Sequence, residues 1–95
     1  MTIHQATGTV YIVEIHSNWQ DDYSVGKLGY TRGLVSASKL IAESMKEMSG
    51  LDAKYHEWVI TRIVLKGAKT IIHEVWLNHT KGHITVTKDM WKEVK

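Results

Sequence analysis

The stretch from Tyr55 to Leu77 limits the fold of this 95-residue chain more than any other part of it. Two runs rich in β-branched residues flank the short sequence Lys-Gly-Ala-Lys, a pattern typical of a β-hairpin. Gly67 and Ala68 are predicted to form a two-residue type II′ turn, because glycine tolerates the positive φ that the first turn position requires. This turn would fix the register of the two strands.

The predicted register sorts the hairpin side chains onto two faces. The first face is apolar except for one polar pair, and its cross-strand pairs are Trp58 with Leu77, Ile60 with Val75, Arg62 with His73, and Val64 with Ile71. The second face is mixed, and its pairs are Val59 with Trp76, Thr61 with Glu74, Ile63 with Ile72, and Leu65 with Thr70. We therefore expect Trp58 in the core, and Trp76 on a face that a second layer or a second copy of the chain could cover.

Two further strands are expected before the helix. Thr9 to His16 is rich in β-branched residues, and its alternate residues Tyr11, Val13 and Ile15 form a wholly apolar face that should meet the core. Residues 17–22 have no periodicity and many turn-forming residues, which predicts a loop. Tyr23 to Tyr30 is predicted to be a short, irregular strand beside the first one, because closely spaced glycines favour a bulge or bend.

One amphipathic helix is expected, from Leu34 or Ser36 to Ser49. Its apolar residues recur at helical spacing, and its charged residues fall on the opposite side. Ser36 is a candidate N-cap. Gly50 stands where a left-handed residue would end the helix, with Leu51 closing a hydrophobic contact against Met45.

The C-terminal part is predicted to add a last strand and a short helical segment. His83 to Thr87 alternates as a strand does, and Thr87 could cap one or two helical turns over Lys88–Lys95. The whole pattern is β-β-α-β-β-β followed by a C-terminal helical turn. We therefore predict an α+β fold, in which one amphipathic helix packs on a face of an antiparallel sheet of four to five strands.

Composition bounds the class of protein. Ninety-five residues suit a single domain, 1–95. The chain has no cysteine, and no apolar run approaches the roughly 20 residues that span a bilayer. Neither a signal peptide nor a membrane partner is therefore expected, and we predict a cytoplasmic protein. The net charge of +2 is too small to indicate nucleic acid by itself.

The segment around Trp19 is the first candidate for a site. Trp19 lies outside any periodic face, with Asp21, Asp22 and Tyr23 after it. Tryptophan and tyrosine are enriched at interface hot spots. These four residues are predicted to bind a protein partner, and the two aspartates among them favour a basic surface on that partner. The alternative is a loop tryptophan that folds back over the edge of the sheet.

A second candidate is the polar pair Arg62 and His73 on the otherwise apolar hairpin face. Arginine presents a planar fork of donors that suits carboxylates and other anions. The pair could therefore bind a small anionic ligand or a nucleotide. The competing interpretation is a satisfied pair at the edge of the core, reaching Glu14 or Glu74.

The third candidate is a basic surface in the C-terminal half. Residues 55–95 hold seven Lys or Arg against four Asp or Glu, whereas residues 1–54 hold five against six. Lysines beside an aromatic ring could bind single-stranded nucleic acid, with the ring stacking on a base. The residues concerned are Lys66, Lys69, Lys81, Lys88, Trp91 and Lys92.

No pattern in the chain predicts catalysis. The six histidines are spread out, and a zinc site needs three or four ligands in matching geometry, so neither a metal nor another cofactor is expected. There is no phosphate-binding loop, dinucleotide fingerprint or nucleophile elbow. The sequence favours a small binding protein that is not an enzyme, like the accessory proteins and inhibitors with which phages and mobile elements act on host proteins. A homodimer through a sheet edge or an uncovered face is also compatible with it.

Overall fold

The computed structural model describes residues 7–20, 22–48, 54–80 and 83–94. Its elements are β1 (Thr7–Trp19), β2 (Asp22–Thr31), α1 (Leu34–Glu47), β3 (His56–Lys66), β4 (Lys69–Leu77), a 3₁₀ turn (Lys88–Met90) and β5 (Lys92–Glu93). The strands form one five-stranded sheet in the order β2-β1-β3-β4-β5, with every neighbouring pair antiparallel. The predicted α+β class is confirmed.

The central hairpin has the predicted register. Lys66 stands opposite Lys69, and the pairing continues to Trp58 opposite Leu77. Gly67 has a φ of 63°, which glycine adopts without the steric penalty of a side chain. The turn chemistry and the alternation of apolar residues therefore agree, and together they fix which side chains face the core.

The first hairpin is tighter than the sequence predicts. Strand β1 extends to Trp19, which pairs with Asp22 at the start of β2, so the predicted loop over residues 17–22 is wrong. Gln20 makes the turn with a φ of 48°, and Asp21 lies outside the described residues. The backbone N–H of Asn18 donates to the Tyr55 carbonyl at 2.9 Å. Pairing on both sides of β1 outweighs the low strand propensity of its polar end.

Strand β2 is irregular, as expected from its glycines. The register against β1 shifts between Val13 and Glu14, and Leu28 is the extra residue on β2. Gly29 has a φ of 156°, and a Cβ built there would lie 3.0 Å from the Leu40 side chain of α1. A side chain at Gly29 would therefore push against the helix.

Helix α1 begins at Leu34, one of the two predicted starts, and ends earlier than predicted. Gly33, in an extended conformation, is the N-cap, so the prediction of Ser36 as N-cap is wrong. The Thr31 hydroxyl donates to the Gly33 carbonyl at 2.8 Å, which fixes the approach of the chain to the helix. The helix ends at Glu47, with Met48 extended, rather than at Ser49. The predicted contact involving Gly50 and Leu51 falls outside the described residues.

The core lies between α1 and one face of the sheet. Its buried residues come from β1, α1, β3 and β4; they are Val13, Ala37, Ile41, Met45, Trp58, Ile60, Val75 and Leu77. Trp58 is fully buried, and its indole N–H donates to the Ser44 hydroxyl at 3.0 Å. The apolar face of the predicted hairpin is thus the face that the helix covers.

The C-terminal segment corrects two predictions. Residues 83–87 join no strand ladder, and their alternate residues Ile84 and Val86 pack against the core instead. The predicted helix over Lys88–Lys95 is a single 3₁₀ turn followed by β5, whose Lys92 and Glu93 pair with β4. The N–H of Val94 donates to the Ile72 carbonyl at 2.9 Å, because the edge of β4 offers unpaired backbone groups.

Candidate functional site

The fold leaves the second face of the sheet without a covering layer among the described residues; we call it the open face. The core cluster contains none of its residues, and helix α1 and the C-terminal segment pack against that cluster instead. Among the described residues of this face, only Val59 is buried. Its apolar members come from four strands: Val10, Ile12, Val25, Tyr30, Val59, Ile63, Leu65, Ile72 and Trp76. A face of this composition is typical of a surface that binds something.

Four charged residues of the open face stand in opposite-sign pairs, whereas Glu57 on β3 is opposite His16. Glu14 on β1 is opposite Lys27 on β2, and Glu74 on β4 is opposite Lys92 on β5. The Lys27 ammonium also donates to the Tyr30 hydroxyl at 3.0 Å, and this hydrogen bond raises the pKa of Lys27 above its usual value. The open face is therefore apolar in its middle, with two charge pairs toward its sides and Glu57 at one end.

Aromatic rings cluster at one end of the sheet, where β1 ends and β2 and β3 begin. We call Trp19, Tyr23, Tyr55 and Trp76, grouped around His16, the aromatic patch. In the strand ladders Tyr23 pairs with Asn18, and Trp76 pairs with Val59. Because directly paired residues point to the same face, Tyr23 and Trp76 lie on the open face. The exposed fractions of Trp19, Tyr23 and Trp76 are 47%, 59% and 42%. Large aromatic side chains that are half open to solvent are candidates for interface anchors.

The His16 side chain contacts two rings of the aromatic patch. Its ring packs edge-on against the Trp76 ring at a centroid distance of 4.7 Å and against the Tyr23 ring at 5.7 Å. Its Nδ1 also forms a hydrogen bond with the Tyr23 hydroxyl, and its Nε2 lies 3.4 Å from a Glu14 carboxylate oxygen. With the proton on Nε2, the imidazole donates to Glu14 and accepts from Tyr23. Both ring nitrogens are thus engaged, which restricts the orientation of the imidazole.

Trp19 joins the aromatic patch through Tyr55. The two rings meet edge-on at a centroid distance of 4.4 Å, a favourable geometry for aromatic pairs. The Lys54 ammonium lies 5.0 Å from the centroid of the Tyr55 ring, within cation–π range. This contact places a positive charge against one ring of the patch.

A concavity of about 410 Å³ lies within the aromatic patch. Its walls are His16, Asn18, Tyr23, Lys54, Tyr55, Glu57 and Trp76. The volume is at the lower end of the range that small-molecule sites and side-chain pockets occupy, roughly 300–1,000 Å³. The concavity has room for one long side chain of a partner.

The structure gathers the described residues of the first predicted site at one end of the sheet. Trp19 and Asp22 are cross-strand neighbours beside the turn, and Tyr23 follows on the open face. Asp21 lies outside the described residues. Sequence reasoning missed His16, Tyr55 and Trp76 as neighbours of this site. The signal that could have found them is the pairing of β1 with β3, which brings the N-terminal and central hairpins into one sheet.

Arg62 and His73 are cross-strand neighbours, but their side chains face the covered side of the sheet. The Trp91 ring lies over the Arg62 guanidinium at 4.3 Å, and Tyr11 packs against Trp91 at 6.2 Å. Arg62 Nε and His73 Nδ1 are buried and have no hydrogen-bond partner within the described ranges. Neither ion pair proposed for Arg62, with Glu14 or with Glu74, forms within those ranges, because both carboxylates belong to the open face. The C-terminal segment covers this pair.

The lysines of the third predicted site occupy separate elements. Lys66 and Lys69 face each other at the tip of the central hairpin, whereas Lys88 lies in the 3₁₀ turn and Lys92 in β5. Trp91 is half-buried against Arg62 and Tyr11, so its ring is already engaged within the protein. Lys81 lies outside the described residues.

The described part of the chain contains no group of three or more His, Cys, Asp or Glu side chains placed to hold a metal ion. Within the same ranges, no helix has the length and hydropathy needed to cross a bilayer. Comparison of the chain with protein-family models, with curated proteins and with solved structures finds no match. The case for a function therefore depends on the geometry of the sheet and its open face.

Proposed function

We propose that this chain is a small protein-binding module that contacts its partner through the aromatic patch and the adjoining open face. The observation that carries the proposal is the exposure of Trp76, 42%, on a sheet face that the described helix and C-terminal segment leave uncovered. A fold that needed this tryptophan for its own stability would bury it, as this one buries Trp58.

The open face has a size that suits the centre of a protein interface. From Val10 to His16, strand β1 runs about 20 Å, and the five strands span about 19 Å at their usual spacing. Specific interfaces bury roughly 800 Å² on each partner, with an apolar centre and a polar rim. The apolar middle and paired charges of the open face follow this arrangement.

The aromatic patch supplies the anchors of such an interface. Tryptophan and tyrosine are the residues whose truncation most often weakens a complex, by about 2 kcal/mol or more at the strongest positions. Trp19, Tyr23 and Trp76 combine exposure with rings that are held in place by their neighbours. Side chains that are ordered before binding lose less conformational entropy on association.

This proposal favours an accessory or inhibitor protein that acts by occupying a surface of another protein. It requires no catalytic group and no cofactor in this chain. A second copy of the chain is the other occupant that the open face could accept, since a two-fold interface places the same patch on both partners. Sedimentation of the purified protein at several concentrations distinguishes a self-associating chain from a monomer that binds a different partner.

The proposal is tested by affinity capture from the native host's lysate with wild type, Trp76→Ala and Val35→Ala. Val35 is the matched control, because it is an apolar residue that is 71% exposed on helix α1, away from the open face. Circular dichroism of each variant verifies that the fold survives. We expect Trp76→Ala to lose at least about 30-fold in partner affinity, which corresponds to roughly 2 kcal/mol.

Two results would contradict the proposal. Equal capture by wild type and Trp76→Ala would remove the open face as the binding surface. Loss of capture in Val35→Ala with retention in Trp76→Ala would move the interface to the helix side of the molecule.

A further inference from the structure

The concavity in the aromatic patch has walls that suit one kind of chemical group. Four rings surround it, from His16, Tyr23, Tyr55 and Trp76, and Glu57 adds a carboxylate. Aromatic faces carry negative electrostatic potential and attract cations that approach within about 6 Å of the ring centroid. We propose that the concavity binds a cationic side chain, arginine or lysine, presented by the protein partner; this inference rests on the function proposed above.

The protein itself places a cation on one of these rings. The Lys54 ammonium lies 5.0 Å from the centroid of Tyr55, at the wall of the concavity. The Tyr55 ring thus already accepts an ammonium group on this side, and a partner's cation would take the place of Lys54. Lys54 is exposed, so its flexible side chain can move into solvent when a partner's side chain enters.

The carboxylates around the concavity favour a positive charge. Glu57 lines the concavity directly. Glu14 is not a wall residue but contacts the wall residue His16, with 3.4 Å between His16 Nε2 and the carboxylate oxygen. Among the walls the charged residues are Glu57 and Lys54, and Glu14 has Lys27 opposite it on β2. A guanidinium could stack on a ring and donate to Glu57, whereas a phosphate group would meet the Glu57 carboxylate and the negative faces of the rings.

A direct test follows the tryptophan signals by ¹⁹F NMR of protein labelled with 5-fluorotryptophan. The four tryptophans of the chain give four resonances, which single substitutions assign. The probe is N-acetyl-arginine amide, and the matched control is N-acetyl-citrulline amide, which has a similar shape without the charge. We expect arginine amide to shift the Trp76 resonance with a dissociation constant of about 1 mM, typical of a small ligand with few contacts. The resonance of the buried Trp58 should stay in place.

Variants separate the contributions of charge and ring. Glu57→Gln should weaken arginine amide about two- to fivefold, the range expected for one exposed ion pair, and added salt should reduce that difference. Tyr55→Leu should weaken it about three- to tenfold through loss of one cation–π contact. Glu93→Gln, on the β5 edge, is the control for removing a carboxylate elsewhere and should change nothing.

The inference is overturned if arginine amide leaves the Trp76 resonance unmoved, or if citrulline amide or a nucleoside monophosphate shifts it as strongly. In either case, capture of the partner that still depends on Trp76 would show that the open face binds by shape and apolar contact alone, so the proposed function would survive. Failure of both experiments would remove the function as well.

Discussion

Removal of the Ser44 hydroxyl is the most informative change to the core. Ser44 lies on α1, and its Oγ accepts the indole N–H of the fully buried Trp58 at 3.0 Å. The substitution Ser44→Ala takes away the acceptor and leaves the donor in an apolar environment. It therefore tests whether the helix sits on the sheet face that carries Trp58.

The magnitude follows from two opposing effects. A buried donor that loses its partner costs about 1–3 kcal/mol of unfolding free energy. Alanine is better than serine inside a helix by up to roughly 0.5 kcal/mol. The net loss at Ser44 is therefore about 1–2 kcal/mol, a large part of the roughly 5–14 kcal/mol expected for a domain of 95 residues.

Thermal and urea unfolding, followed by circular dichroism, measure this loss. A destabilisation of 1 kcal/mol lowers the midpoint of a domain of this size by about 4–8 °C. Ser36→Ala is the matched control, because Ser36 is an exposed residue of the same helix and makes no capping hydrogen bond. We expect Ser36→Ala to be neutral or slightly stabilising.

The reasoning is refuted if Ser44→Ala is as stable as Ser36→Ala. That result would mean that the Trp58 indole N–H is satisfied elsewhere, and the packing of α1 on the sheet would be wrong. A loss of about 1 kcal/mol in Ser36→Ala would instead restore Ser36 as the N-cap.

Two further predictions concern the edges of the structure. Gly29→Ala should destabilise the protein by about 1–3 kcal/mol, because a Cβ at φ 156° would meet the Leu40 side chain at 3.0 Å; urea unfolding measures the loss, and an unchanged midpoint would refute the close approach of α1 to β2. The Thr87 hydroxyl lowers the pKa of the Asp89 carboxyl from its ordinary 3.8, so this interaction is present above about pH 3.8 and is lost as the pH falls through the lowered value. NMR titration should show the pKa of Asp89 rising toward 3.8 in Thr87→Val; no rise would contradict the hydrogen bond.

The central hairpin could be predicted from sequence because several local signals agree there. The period-2 alternation, the β-branched residues and the glycine at the turn all specify one register, and that register is observed from Trp58 opposite Leu77 to Lys66 opposite Lys69. The choice of core face followed from the same alternation. Trp58 and Ile60 are buried, as this pattern predicts.

The errors lie where partners distant in sequence decide the structure. Ser17 and Asn18 have turn-forming side chains, yet they extend β1. Ser17 pairs with both β2 and β3, and Asn18 pairs with β2 and donates its N–H to the Tyr55 carbonyl. Residues 83–87 alternate as a strand does, but their apolar side chains pack on the core and the backbone joins no ladder. The edge position beside β4 is taken instead by Lys92 and Glu93. Local propensity does not encode these choices.

Only part of the candidate site could be predicted from the sequence. Residue type and a position outside any periodic face single out Trp19, with Tyr23 close after it, and both belong to the aromatic patch. His16 and Trp76 come from strands β1 and β4, and they meet across β3 through the pairing of two hairpins. No spacing along the chain records that contact. Arg62 and His73 were found as neighbours, but Trp91, which covers Arg62, approaches from a segment whose path was predicted incorrectly.

The measurement that tests the central claim most directly is site-specific photo-crosslinking in the native host. A photoreactive amino acid is placed at Val25, on the open face beside His16, and in a second protein at Val35, on α1. Both positions are exposed, so each label can reach a bound partner. We predict a discrete crosslinked product from position 25, lost when Trp76→Ala is added, and none from position 35. A product from position 35 alone would contradict the assignment of the open face as the binding surface.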